Sequence, residues 1–398
     1  MKTLEIIFWI CLAIAFYTYI GYGIVLFVLV KIKRLFSKEK ALALPSDESQ
    51  LPEITLTICA YNEQDVVEEK MKNCHELDYP KDKLHIMWVT DGSSDNTNEM
   101  LAAYPDVQVV FSPERKGKTA ALNHGIKEIT TDLAAFTDAN TMLNPGAIKE
   151  IVRLFMDEKV GCVSGEKRVQ ARNDGDTAAK GEGMYWKYES TLKRWDSQLY
   201  SAMGAAGELF AIRTALYETM PEDTLLDDFI ISMRIVERGY KIAYTTDAYA
   251  MEYGSANMEE EAKRKRRIAA GGLQSIGRLW KMLLPLPHPL VWFQYVSHRV
   301  LRWSITPIAM LLMLVVNIII VIMSPSTIYL LTLAAQIIFY GLAYIGHVQA
   351  KKKSEAAGIT GKLAKLCYYF TFMNINVFRG MKYLYGNKSG AWEKAKRS

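Results

Sequence analysis

Ile54-Thr55-Leu56-Thr57-Ile58-Cys59-Ala60 runs straight into Tyr61-Asn62-Glu63. An unbroken apolar and β-branched run of this length reads as a strand covered on both faces, and the polar triplet marks its carboxyl end. The pattern returns downstream. Residues 84–90 lead into Asp91-Gly92-Ser93-Ser94-Asp95, residues 107–112 form another run, residues 133–137 lead into Asp138-Ala139-Asn140, and residues 160–164 follow. Helical patterns at 65–77, 118–129 and 145–157 lie between them. Strand–helix alternation of this kind predicts βαβ units, an α/β domain and a mostly parallel sheet. Ligands of such sheets gather at the carboxyl ends of the strands, where this chain puts its acids. Asp and Asn also make helix caps and turns, so one such cluster signals little. Three of them, ending three apolar strands in this order, point to a site.

Outside this region the chain turns apolar. Residues 6–30 carry no charge and as a helix reach about 37 Å, enough to cross a ~30 Å hydrocarbon core. Lys2 and Glu5 precede them, and Lys31, Lys33, Arg34, Lys38 and Lys40 follow, so the next segment is expected in the cytosol. The run is too long, and its flanks are reversed, for a cleaved signal peptide. Residues 304–350 lack Asp, Glu, Lys and Arg and are interrupted by Ser324-Pro325-Ser326. They predict a membrane hairpin, returned to the cytosol by Lys351-Lys352-Lys353. Ile276, Leu279, Trp280 and Leu283, with Arg278 and Lys281 between them, predict a helix lying in the headgroup region. Residues 366–378 are apolar but short, and are expected to lie at the interface, or to span if Arg379 and Lys382 snorkel.

The expected organisation is a transmembrane helix at 1–30, a linker at 31–52, the α/β domain at 53–272, interface helices at 273–303, the hairpin at 304–350 and a basic segment at 351–398. The net charge of +5 clusters beside the apolar runs, which fits a membrane face and argues against a nucleic-acid partner. Five scattered cysteines with no CxxC pair exclude a disulfide framework or a zinc site and fit a reducing compartment.

From Glu53 to Gly272 the order and spacing of motifs resemble the family-2 glycosyltransferases with the GT-A fold. The resemblance rests on residues 58–63, Asp91 to Thr97, Lys116-Gly117-Lys118 with Ala121-Leu122-Asn123, Thr137-Asp138-Ala139-Asn140, Gly204-Ala205-Ala206-Gly207, Leu226-Asp227-Asp228 and Arg264-Lys265-Arg266-Arg267. The flanking helices and Trp392…Arg397 resemble the membrane-embedded hyaluronan, cellulose and poly-N-acetylglucosamine synthases of that family. The resemblance implies a Rossmann-like GT-A domain in the cytosol, carried by N-terminal and C-terminal transmembrane helices in the inner or plasma membrane. It further implies a UDP-sugar donor, a lipid-linked or glycan acceptor, the lipid bilayer as a partner, and room for export or polymerisation partners.

It also distributes roles. Glu63 and Asp91 fall to the donor's base, since a carboxylate accepts the uracil N3–H; Tyr61, in the first motif, is expected to bind substrate as well. Lys118 opens a helix where its ammonium approaches the pyrophosphate. Asp138 and Asn140 stand where the family carries Asp-x-Asp and are the expected ligands of Mg2+ or Mn2+, the amide being the weaker of the two. Asp228 is the expected base for the acceptor hydroxyl, and the charge of Asp227 beside it raises the cost of ionising both. Gly204 and Gly207 are expected to let the backbone approach the acceptor. Trp186, Tyr188 and Trp195 are either sugar-stacking residues or core. Arg264 and Arg267 are expected to hold the pyrophosphate, although a cluster spanning Lys263 to Arg267 also suits anionic headgroups.

The processive members carry Gln-x-x-Arg-Trp where this chain has Arg264-Lys265-Arg266-Arg267-Ile268. Isoleucine offers no flat face or indole N–H to a sugar, so transfer of one or a few sugars is expected. The alternatives are a processive polysaccharide synthase and a catalytically inactive sugar-binding scaffold. Retention of Asp91, Asp138, Asp228 and Arg267 argues against the scaffold.

Overall fold

The computed structural model describes residues 1–36, 42–170, 177–254, 258–351 and 358–386. Lys38, Lys40, Lys352, Lys353 and the segment Trp392…Arg397 lie outside the described residues.

Eight strands form one sheet: β1 Ile54–Ala60, β2 Leu84–Asp91, β3 Val107–Ser112, β4 Leu133–Asp138, β5 Met142–Leu143, β6 Val160–Gln170, β7 Leu209–Arg213 and β8 Lys241–Tyr253, in the order β3-β2-β1-β4-β7-β6-β8-β5. The first half is parallel, with Ile54 opposite both Leu84 and Leu133. The second half departs from the mostly parallel expectation. β7 runs antiparallel to β4 and β6, β8 is parallel to β6, and β5 is antiparallel to β8. A β7 strand that turns back between β4 and β6 makes the sheet mixed, and its partners are chosen by long-range pairing that local sequence does not specify.

Alternate residues of each strand enter opposite cores. Ile86 and Trp88 of β2 pack with Leu56 and Ile58 on one face, whereas Met87 and Val89 pack with Phe136 and Phe210 on the other. The helices that cover these faces are α2 Val67–His75, α3 Thr97–Leu101, α4 Lys118–Gly125, α5 Ala147–Phe155, α6 Thr177–Leu199, α7 Asp227–Glu237 and α8 Met258–Arg278. α5 shows the rule: Ala147, Ile148, Ile151, Val152 and Phe155 recur at helical spacing and all are buried.

Three helices are long and apolar enough to cross a membrane: α1 Lys2–Phe36, α9 Pro289–Met323 and α10 Thr327–Lys351. Ser324-Pro325-Ser326 separates the last two, as expected. α11, Gly358–Gly386, packs on α10 and α8 through glycines: Gly346 meets the Ala364 carbonyl, and Gly380 meets Ala269 and Ala270. Several of the boundaries drawn from sequence fall inside helices. α1 continues past residue 30 to Phe36, α8 continues past residue 272 to Arg278, and α9 begins at Pro289 and runs through residue 304. The apolar residues expected at the membrane interface split: Leu279 is buried in the domain core, while Trp280 is 57% exposed.

The domain and its apolar helices are joined by polar contacts, most of them buried. Glu189 of α6 receives Arg299 at 2.7 Å and Arg302 at 2.8 Å from α9. Asp196 of α6 receives His298 at 2.5 Å and the Tyr22 hydroxyl of α1. Lys33, at the end of α1, donates to the carbonyls of Gln198 and Leu199 at 2.7 and 3.0 Å, where the α6 dipole favours a cation.

Candidate active site

The loops after β1, β2 and β4, the start of α4 and part of α8 open onto one cleft of about 1280 Å³. Tyr61, Glu63, Asp91, Lys118, Asp138, Asn140, Asp227, Arg264 and Arg267 line it.

The first two motifs are locked together. Asn62 adopts a left-handed backbone, φ 53°, which Asn tolerates. Its side-chain oxygen accepts the Ser94 N–H at 2.8 Å, and its own N–H reaches Ser93 Oγ at 3.1 Å. The Glu63 N–H donates to Thr97 Oγ1 at 2.9 Å. Asp91 is buried and accepts the N–H groups of Lys116 and Gly117 at 2.9 and 2.6 Å, so it fixes the loop that leads into α4. Gly92, at φ +67°, lets that loop pass, since a Cβ there would lie 2.5 Å from the Arg115 nitrogen. Arg115 in turn lies 3.8 Å from the centroid of the Tyr61 ring. Nothing in the sequence singles out Arg115 beyond its place beside the Lys116-Gly117-Lys118 motif.

Lys118 crosses from α4 to the acids. Its Nζ is 2.6 Å from Asp138 Oδ1 and 3.8 Å from Asp227 Oδ2. Burial opposes its charge, but Asp138 and then Asp227 outweigh burial and hold its pKa well above the ordinary value. Below the β4 turn, the fully buried Lys70 donates to the Thr141 carbonyl at 2.6 Å and to Thr137 Oγ1 at 3.3 Å. Its pKa is pulled down to about 8 by burial. It braces the segment carrying Asp138 and was missed. The signal was available: Lys70 shares the buried face of α2 with Val67, Met71 and Cys74.

Asp228 sits in the first turn of α7 beside Asp227, one position inside the helix rather than ahead of it, and accepts the Phe229 N–H at 2.8 Å. Burial, then the charge of Asp227, pushes its carboxyl up to about 7. Gly207 faces it, and a Cβ there would lie 3.2 Å from Asp228 Oδ2. Gly204, at φ +96°, instead has the Phe229 ring filling the space beside it. Its glycine requirement is internal packing.

The two arginines expected at the pyrophosphate differ. Arg267 has a buried Nε with no hydrogen-bond partner among the described residues; burial lowers its pKa against the pull of Asp227. Arg264 meets Glu208 at 3.3 Å, Glu252 at 3.7 Å and Glu261 at 3.9 Å, and Lys167 joins Glu208 at 2.8 Å. Buried carboxylates need cations, and Arg264 serves them while touching the cleft wall. Arg266, also unassigned beforehand, lines the cleft with its guanidinium 5.2 Å from the Tyr383 ring of α11. Of Trp186, Tyr188 and Trp195 on α6, two pin it to α1: Tyr188 donates to the Tyr19 carbonyl at 2.8 Å, and Trp195 packs 5.4 Å from Phe27. Trp186 instead lies 5.1 Å beneath Lys167 Nζ.

Among the described residues no three His, Cys, Asp or Glu side chains gather as a metal centre. Asp138 and Asn140 offer the oxygen donors that would suit a hard divalent ion. The Lys118 ammonium on Asp138 marks where positive charge is favoured.

Comparison with known proteins agrees with this arrangement. Residues 52–271 match the family described as glycosyltransferase like family 2. The poly-beta-1,6-N-acetyl-D-glucosamine synthase of Staphylococcus aureus (strain MSSA476) is 30% identical over 232 residues, 56% of this chain and 55% of that protein. The probable glycosyltransferase YdaM of Bacillus subtilis (strain 168) is 29% identical over 235 residues, 56% of each chain. The chain spans about half the length of the curated relatives it matches. The solved mannosyltransferase PcManGT from Pyrobaculum calidifontis, in complex with GDP-Man and Mn2+, shares the fold along 97% of this chain and 99% of its own, with TM-score 0.73 and 22% identity. With the family's motifs in order, its match covering more than half of the sequence and the GT-A sheet around the cleft, the chain belongs to glycosyltransferase-like family 2.

Proposed function

We propose that this protein is a membrane-anchored inverting glycosyltransferase that moves a sugar from a UDP-sugar to a hydroxyl of a lipid-linked or glycan acceptor. The observation that carries this reading is the meeting of Asp138, Lys118, Asp227 and Arg267 in one cleft, with Asp228 next to Asp227. Lys118 and Arg267 supply cationic groups for a diphosphate. A divalent ion such as Mg2+ or Mn2+, held by Asp138 and Asn140, would supply further positive charge to the leaving diphosphate. Asp228 takes the acceptor's hydroxyl proton as the acceptor oxygen bonds to the sugar carbon and the diphosphate departs. A one-step displacement needs one base and no enzyme nucleophile, and by that route an α-linked donor gives a β-linked product. The Lys and Arg excess after α1 supports a cytosolic catalytic domain in the inner or plasma membrane, with the N-terminus outside.

Ile268 in place of an aromatic favours one or a few transfers. The relatives named as polymer synthases support the processive reading instead. Incubation of the purified protein with candidate UDP-sugars, with mass and size analysis of products, tests both. A β-linked product of one or a few sugars, abolished by chelator and by Asp138→Ala, is expected. A chain of hundreds of sugars would replace the short-product reading, an α-linkage would refute inversion, and full activity in chelator would refute the metal.

A further inference from the structure

Trp303 stands in the π-helical stretch Val296–Ile305 of α9, a local widening frequent at functional positions. Its ring meets the Phe229 ring edge-on, with centroids 5.0 Å apart and planes at 64°. Phe229 follows Asp228 and donates its N–H to that carboxylate. On another side the indole lies against Gly272 of α8, where a Cβ would fall 2.6 Å from indole Cδ2; the glycine makes the room. Arg299, one turn earlier, lies 5.4 Å from the same ring and is itself fixed by Glu189 at 2.7 Å and the Met203 carbonyl at 2.6 Å. Although clamped by these neighbours, Trp303 is only half-buried, and its indole N–H makes no hydrogen bond among the described residues.

We propose that Trp303 is an acceptor-binding residue, an indole platform for the sugar ring whose hydroxyl Asp228 deprotonates. The inference rests on the transferase reading and assigns the acceptor's class: a pyranose, presented to the base from the side of the apolar helix α9. An indole face stacks on the C–H face of a pyranose, and its free N–H donates to a ring hydroxyl. A tryptophan serving only as an interfacial anchor requires neither the space at Gly272 nor the braced guanidinium of Arg299.

The test uses the full chain in detergent, UDP-N-acetylglucosamine as donor and octyl β-N-acetylglucosaminide as the acceptor probe. Trp303→Ala should raise the KM for the probe roughly 3- to 10-fold, as expected for loss of an aromatic contact, with UDP affinity unchanged. Trp303→Phe should give a smaller rise. Gly272→Ala, which displaces the indole without altering it, should move KM in the same direction as Trp303→Ala. Unchanged KM in all three variants would overturn the inference. So would a parallel loss of UDP affinity and melting temperature, the mark of a packing role alone, or a wild type that cleaves the donor without transferring to the probe. Failure of the wild type to bind or cleave any UDP-sugar would count against the transferase reading itself.

Discussion

The two halves of the sheet use their charges differently. Around the carboxyl ends of β1, β2 and β4, Lys118 is shared between two acids, Arg115 lies on a tyrosine ring, and the buried Arg267 Nε has no partner among the described residues. Around β6, β8 and α6, the cations sit on buried carboxylates: Lys167 and Arg264 on Glu208 at 2.8 and 3.3 Å, Arg299 and Arg302 on Glu189 at 2.7 and 2.8 Å. A buried cation paired inside the protein holds elements together, and its loss exposes an uncompensated acid. A cation left over in a cleft is set for a ligand. Mutation should therefore weaken binding in the first half and the fold in the second.

Asp228 stands on the border between these halves and gives the largest effect. Asp228→Asn keeps the shape but removes the proton acceptor, and should cost roughly 10²–10⁴ in turnover while UDP binding, followed by calorimetry, stays within error. Only the ionised carboxylate accepts a proton. With its carboxyl raised to about 7, the wild-type rate should climb as pH rises through that value and then level off. A rate that is flat through neutrality would detach Asp228 from the chemistry.

The arginine pair tests the contrast directly. Arg264→Ala leaves buried Glu208 and Glu252 with Lys167 as their remaining cation and should destabilise the protein, by less than the roughly 3–5 kcal/mol of a fully uncompensated buried charge, read as a lowered melting temperature in detergent. Arg267→Ala should leave melting unchanged and weaken nucleotide-sugar binding by about 10- to 100-fold, the worth of hydrogen bonds to a charged group. If the two variants exchanged phenotypes, the division between ligand charges and architectural charges would fail.

That pair also shows what the sequence could disclose. The parallel half was readable because its strands are mostly apolar runs, and the donor-side acids fall where β1, β2 and β4 stop. β7 is five residues long and pairs backwards with β4 and β6, which nothing in Leu209–Arg213 announces. Arg264 displayed its charge but not its partner, which lies 56 positions away at Glu208. The domain boundary at residue 272 fell inside α8, where Gly271 and Gly272 are contact points for Leu226 and Trp303. Trp303 itself sat at the edge of an apolar run and carried no signal beyond interface chemistry. Lys70, by contrast, was legible as a lysine on the buried stripe of an amphipathic helix.

The smallest effect probes the far end of the architectural half. Thr18 of α1 and Thr306 of α9 are both fully buried, and their hydroxyls meet at 2.8 Å. Thr18→Val keeps the volume and removes one hydroxyl, leaving Thr306 without that partner. Hydrogen bonds between helices in a bilayer average about 0.6 kcal/mol and reach about 1.7 kcal/mol, so melting in detergent should fall only slightly. The pair lies on the apolar helices rather than in the cleft, so nucleotide affinity should not change. The same π-helical stretch that ends just before Thr306 carries Arg299 and Trp303, which gives the variant a second use. If loosening α1 from α9 raised the acceptor KM while donor affinity held, the packing of the apolar helices would extend its influence to the acceptor side of Asp228. A loss of donor affinity without any loss of stability would instead break the comparison, because a purely architectural contact would have acted on the donor cleft.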